Sequence, residues 1–288
     1  MIYVVIPVHN RLAFTRQCLS DLARQVNVDF TTIVVDDGSS DGTAEVLARE
    51  YPSVVVLGGD GNLWWTAAMN LGVTWALERA AAGDYVLALN NDTRFESDYL
   101  ESLATAAEDH SPALIGSLAV DQNLGVVVEG GVRMHWLTAK RVVIARGLPL
   151  GDVKAWRSPP VGVDVLPGRG ALIPVSVFRA VGLFDAVNLP HYGADYEFSR
   201  RAARAGFRLL VSYDAVLRVQ PTESGLHASR GLRAFLTSFV ARRSANGLRG
   251  RWRFARLACP RRTLVPFVVL DTIRVVAGSF KRQVLSAK

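Results

Sequence analysis

The chain has 288 residues, 50% hydrophobic and 20% charged, enough to build a sizeable core; a disordered tail and a disulfide-stapled miniprotein are excluded. The net charge of +7 is unevenly spread. Residues 224–288 hold 14 Lys/Arg against the single acid Asp271, while residues 1–223 carry 19 basic and 25 acidic residues, so a mildly acidic body precedes a strongly basic tail.

Strand-like residues begin at Ile2, directly after Met1, leaving no room for a secretory signal peptide. Ile2–Ile6, Thr32–Val35, Val54–Leu57, Tyr85–Leu89 and Leu114–Leu118 are predicted strands. Leu12–Gln25, Thr43–Glu50, Trp65–Ala81 and Asp98–Asp109 are predicted helices between them. This alternation predicts an α/β sheet with covering helices and no break within residues 1–118. Val126–Trp136 and Arg141–Ala145 then predict a hairpin or antiparallel strands, and Gly147–Gly162 a Pro/Gly-bearing loop expected to act as a lid. Val163–Leu166, Ala171–Ile173 and Leu209–Val211 predict strands, and Val175–Val181 and Ala194–Ala205 helices. The longest uninterrupted apolar run, Leu264–Leu270, spans seven residues, far short of the roughly 20 needed to cross a bilayer. No spanning helix is therefore expected. Cys18 and Cys259, the only cysteines, are expected to be packing residues in a reducing cytosol.

Ligands of open α/β sheets bind at the carboxyl ends of the strands, and polar residues cluster there: Pro7-Val8-His9-Asn10-Arg11, Asp36 to Thr43, Gly58 to Asn62, and Asn90 to Thr93. Carboxylates directly after buried strand residues need a cation or a donor-rich ligand nearby, as a metal-bound nucleotide would be. The chain lacks the phosphate-binding loop Gly-x-x-x-x-Gly-Lys-[Ser/Thr], and Gly168-Arg169-Gly170 lacks the third glycine of a dinucleotide fingerprint. His-Glu-x-x-His and Gly-x-Ser-x-Gly are absent as well.

In six segments the sequence resembles the family 2 glycosyltransferases: Val5-Ile6-Pro7-Val8-His9-Asn10, Val34 to Thr43, Asn62 to Asn70, Asn90-Asn91-Asp92, Gly182-Leu183-Phe184-Asp185 and Gly193 to Arg201. The likeness covers residues 1–220 and implies the GT-A fold, a mostly parallel central sheet with flanking helices, here with a basic helical C-terminal extension. It implies a catalytic domain over 1–222, with a nucleotide-sugar half (1–118) and an acceptor half (119–222), followed by a basic, partly amphipathic segment over 223–288. The implied reaction is inverting transfer of a sugar from a UDP- or dTDP-sugar, with dTDP-rhamnose the expected donor. The acceptor is a carbohydrate or lipid-linked saccharide in cell-surface polysaccharide synthesis.

By this resemblance Asp195 is the catalytic base, Asp92 the ligand of a Mg²⁺ or Mn²⁺ cofactor, and Asp37 the acceptor for the imide N–H of a uracil or thymine ring. Pro7, His9, Asn10, Asn62, Asn70 and Asn91 complete the nucleotide site. Asn91 stands where the family has an acid, and Ala194 where it usually has Glu. Asp36 and Asp41 read as turn and capping residues. Glu197 and Arg201 match an acid and an arginine that orient the acceptor loop or the phosphates. Trp64 and Trp65 stack on a pyranose or belong to the core; Arg169 contacts the diphosphate or acceptor, or is a surface turn residue.

The basic tail, with ten arginines between Arg230 and Arg262 interleaved with apolar residues, suits peripheral contact with an anionic membrane on its cytosolic face. Packing on the catalytic domain or within a homo-oligomer is the other reading. Nucleic acid is not an expected partner, since no recognised module accompanies the charge. The alternatives to a glycosyltransferase are a nucleotidyltransferase on the same fold and a non-catalytic carbohydrate- or membrane-binding scaffold.

Overall fold

The computed structural model describes residues 1–153, 159–220, 237–241, 244 and 246–286, with side chains in the last stretch described as far as Phe280. Strands β1 (Ile2–Val8), β2 (Phe30–Asp36), β3 (Val55–Gly58) and β4 (Tyr85–Ala88) are parallel neighbours in the order β4-β1-β2-β3. Successive side chains of a strand point to opposite faces, so Tyr3 and Val5 enter one core with Ile33 and Val35, while Ile2, Val4, Ile6 and Val8 enter the other. The first face is covered by α3 (Trp64–Leu77), α5 (Val175–Val181) and α6 (Ala194–Arg204). The second is covered by α1 (Leu12–Leu22), α2 (Thr43–Glu50) and α4 (Tyr99–Asp109), with Tyr99, Leu100, Leu103, Ala106 and Ala107 of α4 all buried.

The sheet continues through β11 (Ala171–Pro174), antiparallel to both β4 and β6 (Ala113–Asp121). β12 (Arg208–Val219) then runs parallel to β6. β5 (Thr93–Arg94) and β10 (Val161–Gly162) pair with β12, and β7 (Val127–Glu129) with β6, giving a ten-stranded sheet. The mixed α/β architecture with a central, mostly parallel sheet matches the expectation. β6 runs unbroken across residues 118 and 119, where the two halves were expected to divide. A separate hairpin pairs β8 (Val132–His135) with β9 (Lys140–Val143).

Two local expectations, both about strands, are corrected. The last strand was expected at Leu209–Val211 but extends to Val219. Asp214 and Arg218 interrupt its apolar pattern, and a register shift between Ser212 and Val216 resets the alternation. Val163–Leu166 is irregular apart from an isolated bridge at Val165, the paired residues being Val161 and Gly162. The expected lid lies partly outside the described residues. Its first part is bonded to the neighbourhood of β7, where the Val127 N–H donates to the Leu148 carbonyl and the Leu150 N–H to the Gly125 carbonyl.

The C-terminal region forms α7 (Leu248–Ala258) and α8 (Leu264–Ser286), while Arg230, Arg233, Arg242 and Arg243 of the basic tail lie outside the described residues. Counting only uninterrupted apolar residues understated this region: the 20-residue stretch Arg261–Phe280, a short turn running into α8, is long and apolar enough to cross a membrane by length and composition. Asp271 and Arg274 sit inside that stretch, and each costs about 2.5–3.5 kcal/mol at a bilayer centre. Both are instead committed to the protein. Arg251 of α7 grips the buried Asp271 carboxylate through Nε at 2.6 Å and through Nη2. Arg274 donates to the carbonyls of Thr138 and Ala139 at the β8–β9 turn, and Phe267 stacks on Trp136 at 5.9 Å between ring centres.

Candidate functional site

In the order β4-β1-β2-β3 the chain reverses direction of travel between β1 and β4, and the loops leaving those strands diverge there to leave a crevice. The turn after β1 is strained: Asn10 and Arg11 hold φ of 59° and 64°, in the left-handed region that costs a non-glycine residue of order 1–3 kcal/mol. Asn10 is fastened to the next loop, its N–H donating to Ser39 Oγ and its side-chain oxygen accepting from the Ser40 N–H. The result aims Arg11 at the end of β4, where its Nη1 lies 3.5 Å from Asp92 Oδ2. Asp92 Oδ1 is buried and has no hydrogen-bond partner. Asn91 is also buried and donates to Thr15 Oγ1 at 3.0 Å.

Asp36 Oδ1 accepts the Ser39 N–H, and Asp41 accepts the N–H groups of Leu12 and Thr43, so both organise turns. Asp37 is 4% exposed and holds the loop after β3: its Oδ1 accepts the N–H groups of Gly61 and Leu63, and its Oδ2 that of Trp64. A carboxylate offers about four lone-pair sites, so one remains on Oδ2. His9 is exposed and its Nδ1 donates to the Asp37 carbonyl at 2.6 Å. Pro7 lies within β1 opposite Val35.

The loop held by Asp37 delivers Asn62, Trp64 and Trp65 to a cleft of about 1390 Å³ whose lining also includes Asn90, Glu129, Arg141, Gly168, Arg169, Asp195 and Tyr196. Trp64, at φ 57°, is the third non-glycine residue near the site with a left-handed backbone. Trp65 packs edge-on against Phe184 at 5.5 Å and donates from Nε1 to Asn90 Oδ1 at 3.0 Å. It is thus anchored in the core while lining the cleft.

Asp195 occupies the first turn of α6, entered through Gly193 at φ 83°. Its Oδ2 accepts the Gly168 N–H at 2.9 Å and its Oδ1 the Tyr196 N–H at 2.9 Å. Gly168 is there because nothing larger fits: a Cβ would lie 2.4 Å from the Trp65 ring and 3.3 Å from the Asp195 Cβ. Burial pushes the Asp195 carboxyl above the ordinary aspartate range, against the two amides that favour its charged form. Glu129, absent from the sequence reading, completes the group. Its Oε1 accepts the Tyr196 hydroxyl at 3.2 Å. Burial first and the Asp195 charge second raise its carboxyl, while burial also holds the Tyr196 phenol well above its usual value. Arg169, whose buried Nε has no hydrogen-bond partner, and Arg141, 5.9 Å above the Tyr196 ring, bring positive charge to the same wall.

Five of the predicted site residues therefore share the cleft lining: Asn62, Trp64, Trp65, Arg169 and Asp195. Asp37, Asp92, Asn91, His9, Asn10 and Pro7 lie along the adjoining strand ends. Three others face inward. Both groups of the Asn70 amide bond the Phe184 backbone, at 2.8 and 3.0 Å. Glu197 and Arg201 bind each other at 2.9 Å, and Arg201 donates to the carbonyls of Val181 and Leu183. These contacts fix the 181–184 loop beneath Trp65 and place none of the three in the cleft lining. Among the described residues no group of three or more His, Cys, Asp or Glu side chains is arranged to hold a metal ion.

The sequence profile of glycosyl transferase family 2 matches residues 3–181. A PGL/p-HBAD biosynthesis glycosyltransferase of Mycobacterium tuberculosis is 32% identical over 117 residues, 39% of this chain and 44% of that protein. Glycosyltransferase GlyA of Streptococcus pneumoniae is 30% identical over 105 residues, 35% of this chain and 14% of that protein. The chain thus covers under half the length of these curated relatives. In structure it is similar to the mannosyltransferase PcManGT of Pyrobaculum calidifontis, solved with GDP-Man and Mn²⁺ (TM-score 0.56, 16% identity, 99% of this chain and 75% of that one). It is similar as well to S. aureus TarS solved with UDP-GlcNAc (TM-score 0.56, 13% identity, 98% and 92%). At these identities the likeness establishes the GT-A fold. The profile, in turn, spans more than half of the sequence and contains the strand ends that build the crevice, and on that ground the chain belongs to glycosyl transferase family 2.

Proposed function

We propose that the chain is an inverting glycosyltransferase that moves a sugar from a UDP- or dTDP-sugar, dTDP-rhamnose foremost, to a saccharide or lipid-linked saccharide acceptor in cell-surface polysaccharide synthesis. The observation that carries this reading is Asp195, a half-buried carboxylate that lines a large cleft and is held there by the backbone amides of Gly168 and Tyr196. In an inverting displacement the acceptor hydroxyl attacks the anomeric carbon from the face opposite the diphosphate. Asp195 takes the hydroxyl proton as the new carbon–oxygen bond forms, and the nucleoside diphosphate leaves with the electrons of the bond that breaks. The cleft holds the two substrates in line, which contributes much of the acceleration. Trp64 and Trp65 supply apolar surface against the sugar. The remaining lone pair of Asp37 Oδ2 suits the imide N–H of the base.

Asp92, with its unpartnered buried Oδ1, fits Mg²⁺ or Mn²⁺, since such hard cations are held by one or two carboxylates together with substrate phosphates and water. The ion would supply charge neutralisation for the departing diphosphate. Arg11, 3.5 Å from Asp92, adds fixed positive charge at that strand end. The cytoplasm, at the cytosolic face of a membrane, is the proposed location.

A panel of nucleotide sugars, tested for thermal stabilisation with and without Mn²⁺, checks this reading. At a free ligand concentration 100 times its dissociation constant, binding stabilises by about 2.7 kcal/mol. A rise in melting temperature is expected with a uridine or thymidine diphosphate sugar and should be larger with Mn²⁺. Equal stabilisation by purine and pyrimidine donors, or none by any, contradicts it.

A further inference from the structure

We propose that the outer face of the α7–α8 pair lies flat on an anionic lipid bilayer, so that the cleft takes its acceptor at the membrane surface. The consequence for the acceptor rests on the glycosyl-transfer reading; the docking surface does not.

The two sides of α8 have different tasks. Phe267, Asp271 and Arg274 line the cleft and bind α7 or the β8–β9 turn. On the other side Val265, Val269, Ile273, Val276 and Phe280 are 72%, 51%, 58%, 40% and 62% exposed. At about 100° per residue these five fall within an arc of roughly 80°, a continuous apolar stripe. Arg261 and Arg262 are exposed at its amino end. On α7 the exposed residues Trp252 and Arg256 stand about one turn apart, with the Arg256 guanidinium 5.8 Å from the Trp252 ring. Apolar side chains bordered by arginine and tryptophan match the depth profile of a bilayer surface, where the stripe meets acyl chains and the guanidinium groups meet phosphates.

Charge decides between occupants. A second copy of this chain seated on the stripe would bring together two segments that each hold 14 Lys/Arg against one acid, a like-charge contact that disfavours association. An anionic bilayer gains from the same charge. The helix lies along the surface and does not cross, because Asp271 and Arg274 are already engaged on the protein side of α8.

Flotation of the full chain with phosphatidylcholine vesicles, with and without phosphatidylglycerol, tests the surface without any sugar donor, so its outcome is separate from that of the transfer reading. Binding is expected only to the phosphatidylglycerol vesicles, released by high salt and by alkaline carbonate. The V269D/I273D pair is expected to reduce binding by at least about tenfold with an unchanged melting temperature. If that pair unfolds the chain, Trp252→Ala should still weaken binding while the fold persists. Failure to float, retention after alkaline carbonate, or V269D/I273D acting only to convert a dimer to a monomer would overturn the proposal.

Discussion

Replacing Asp195 by asparagine is expected to lower the rate of sugar transfer by roughly 10²–10⁴-fold, with donor binding retained. The amide keeps the shape and one acceptor, so the substrates still assemble, but it cannot take the proton of the acceptor hydroxyl. The pH profile of the unchanged enzyme carries the same signature. Asp195 must be ionised to act, and burial holds its carboxyl above the ordinary aspartate range; the rate should therefore begin to fall at a higher pH on acidification than a solvent-exposed aspartate would dictate. Stability runs the other way. The folded chain holds the Asp195 proton more tightly than the unfolded chain does, so this group's contribution is most favourable at low pH and is lost as pH rises from the unfolded value through the raised folded one. Asparagine removes that cost at neutral pH but turns an N–H group toward one of the two amides, so the opposing effects should leave the melting temperature near that of the parent. Steady-state transfer rates and thermal melts of the two proteins, side by side, check both parts. Transfer at the parental rate would remove Asp195 from its role.

Asp37→Ala should act through structure as well as binding. Three N–H groups, those of Gly61, Leu63 and Trp64, lose their acceptor. Each unsatisfied buried group costs about 1–3 kcal/mol, and with partial access to water for this loop a total near 3 kcal/mol is expected. For a chain of this size that lowers the melting temperature by roughly 5 °C. Because the same loop carries Asn62, Trp64 and Trp65 into the cleft, the donor KM should rise together with the loss of stability. Asp37→Asn retains one acceptor and should fall between alanine and the parent in both measurements. A variant that binds donor poorly yet melts with the parent would assign Asp37 to the base alone.

The layered sheet was legible because strands buried on both faces write near-continuous apolar runs, and helices packed on one face write a three-to-four spacing; Tyr3 and Val5 against Ile2 and Val4 show the first, Tyr99 to Ala107 the second. Length of pairing was less legible. The extension of β12 past Val211 depends on β6 lying beside it, which no local pattern announces. The same holds within the site. Asp195 and Asp92 stand in recognisable segments, whereas Glu129 is one acid in a three-residue strand and acquires meaning only when Tyr196 and Asp195 fold against it. Asn70 and Arg201 sit in equally recognisable segments, yet their side chains are spent on the backbone of Phe184 and on the carbonyls of Val181 and Leu183. A motif marks that a polar residue is required, but only tertiary contacts say whether it meets a ligand or a carbonyl. α8 adds a different lesson: two charges interrupt its apolar run, and their partners on α7 and at the β8–β9 turn are what leave one side of the helix free to be apolar.

The most direct measurement of the central claim is a crystal structure of the Asp195→Asn variant with a non-hydrolysable uridine or thymidine diphosphate sugar and Mn²⁺. The base is expected against the Asp37-held loop, the diphosphate and metal at Asp92, and the anomeric carbon facing residue 195 beside Trp65. A donor bound with its sugar turned away from residue 195, or outside the cleft altogether, would contradict it.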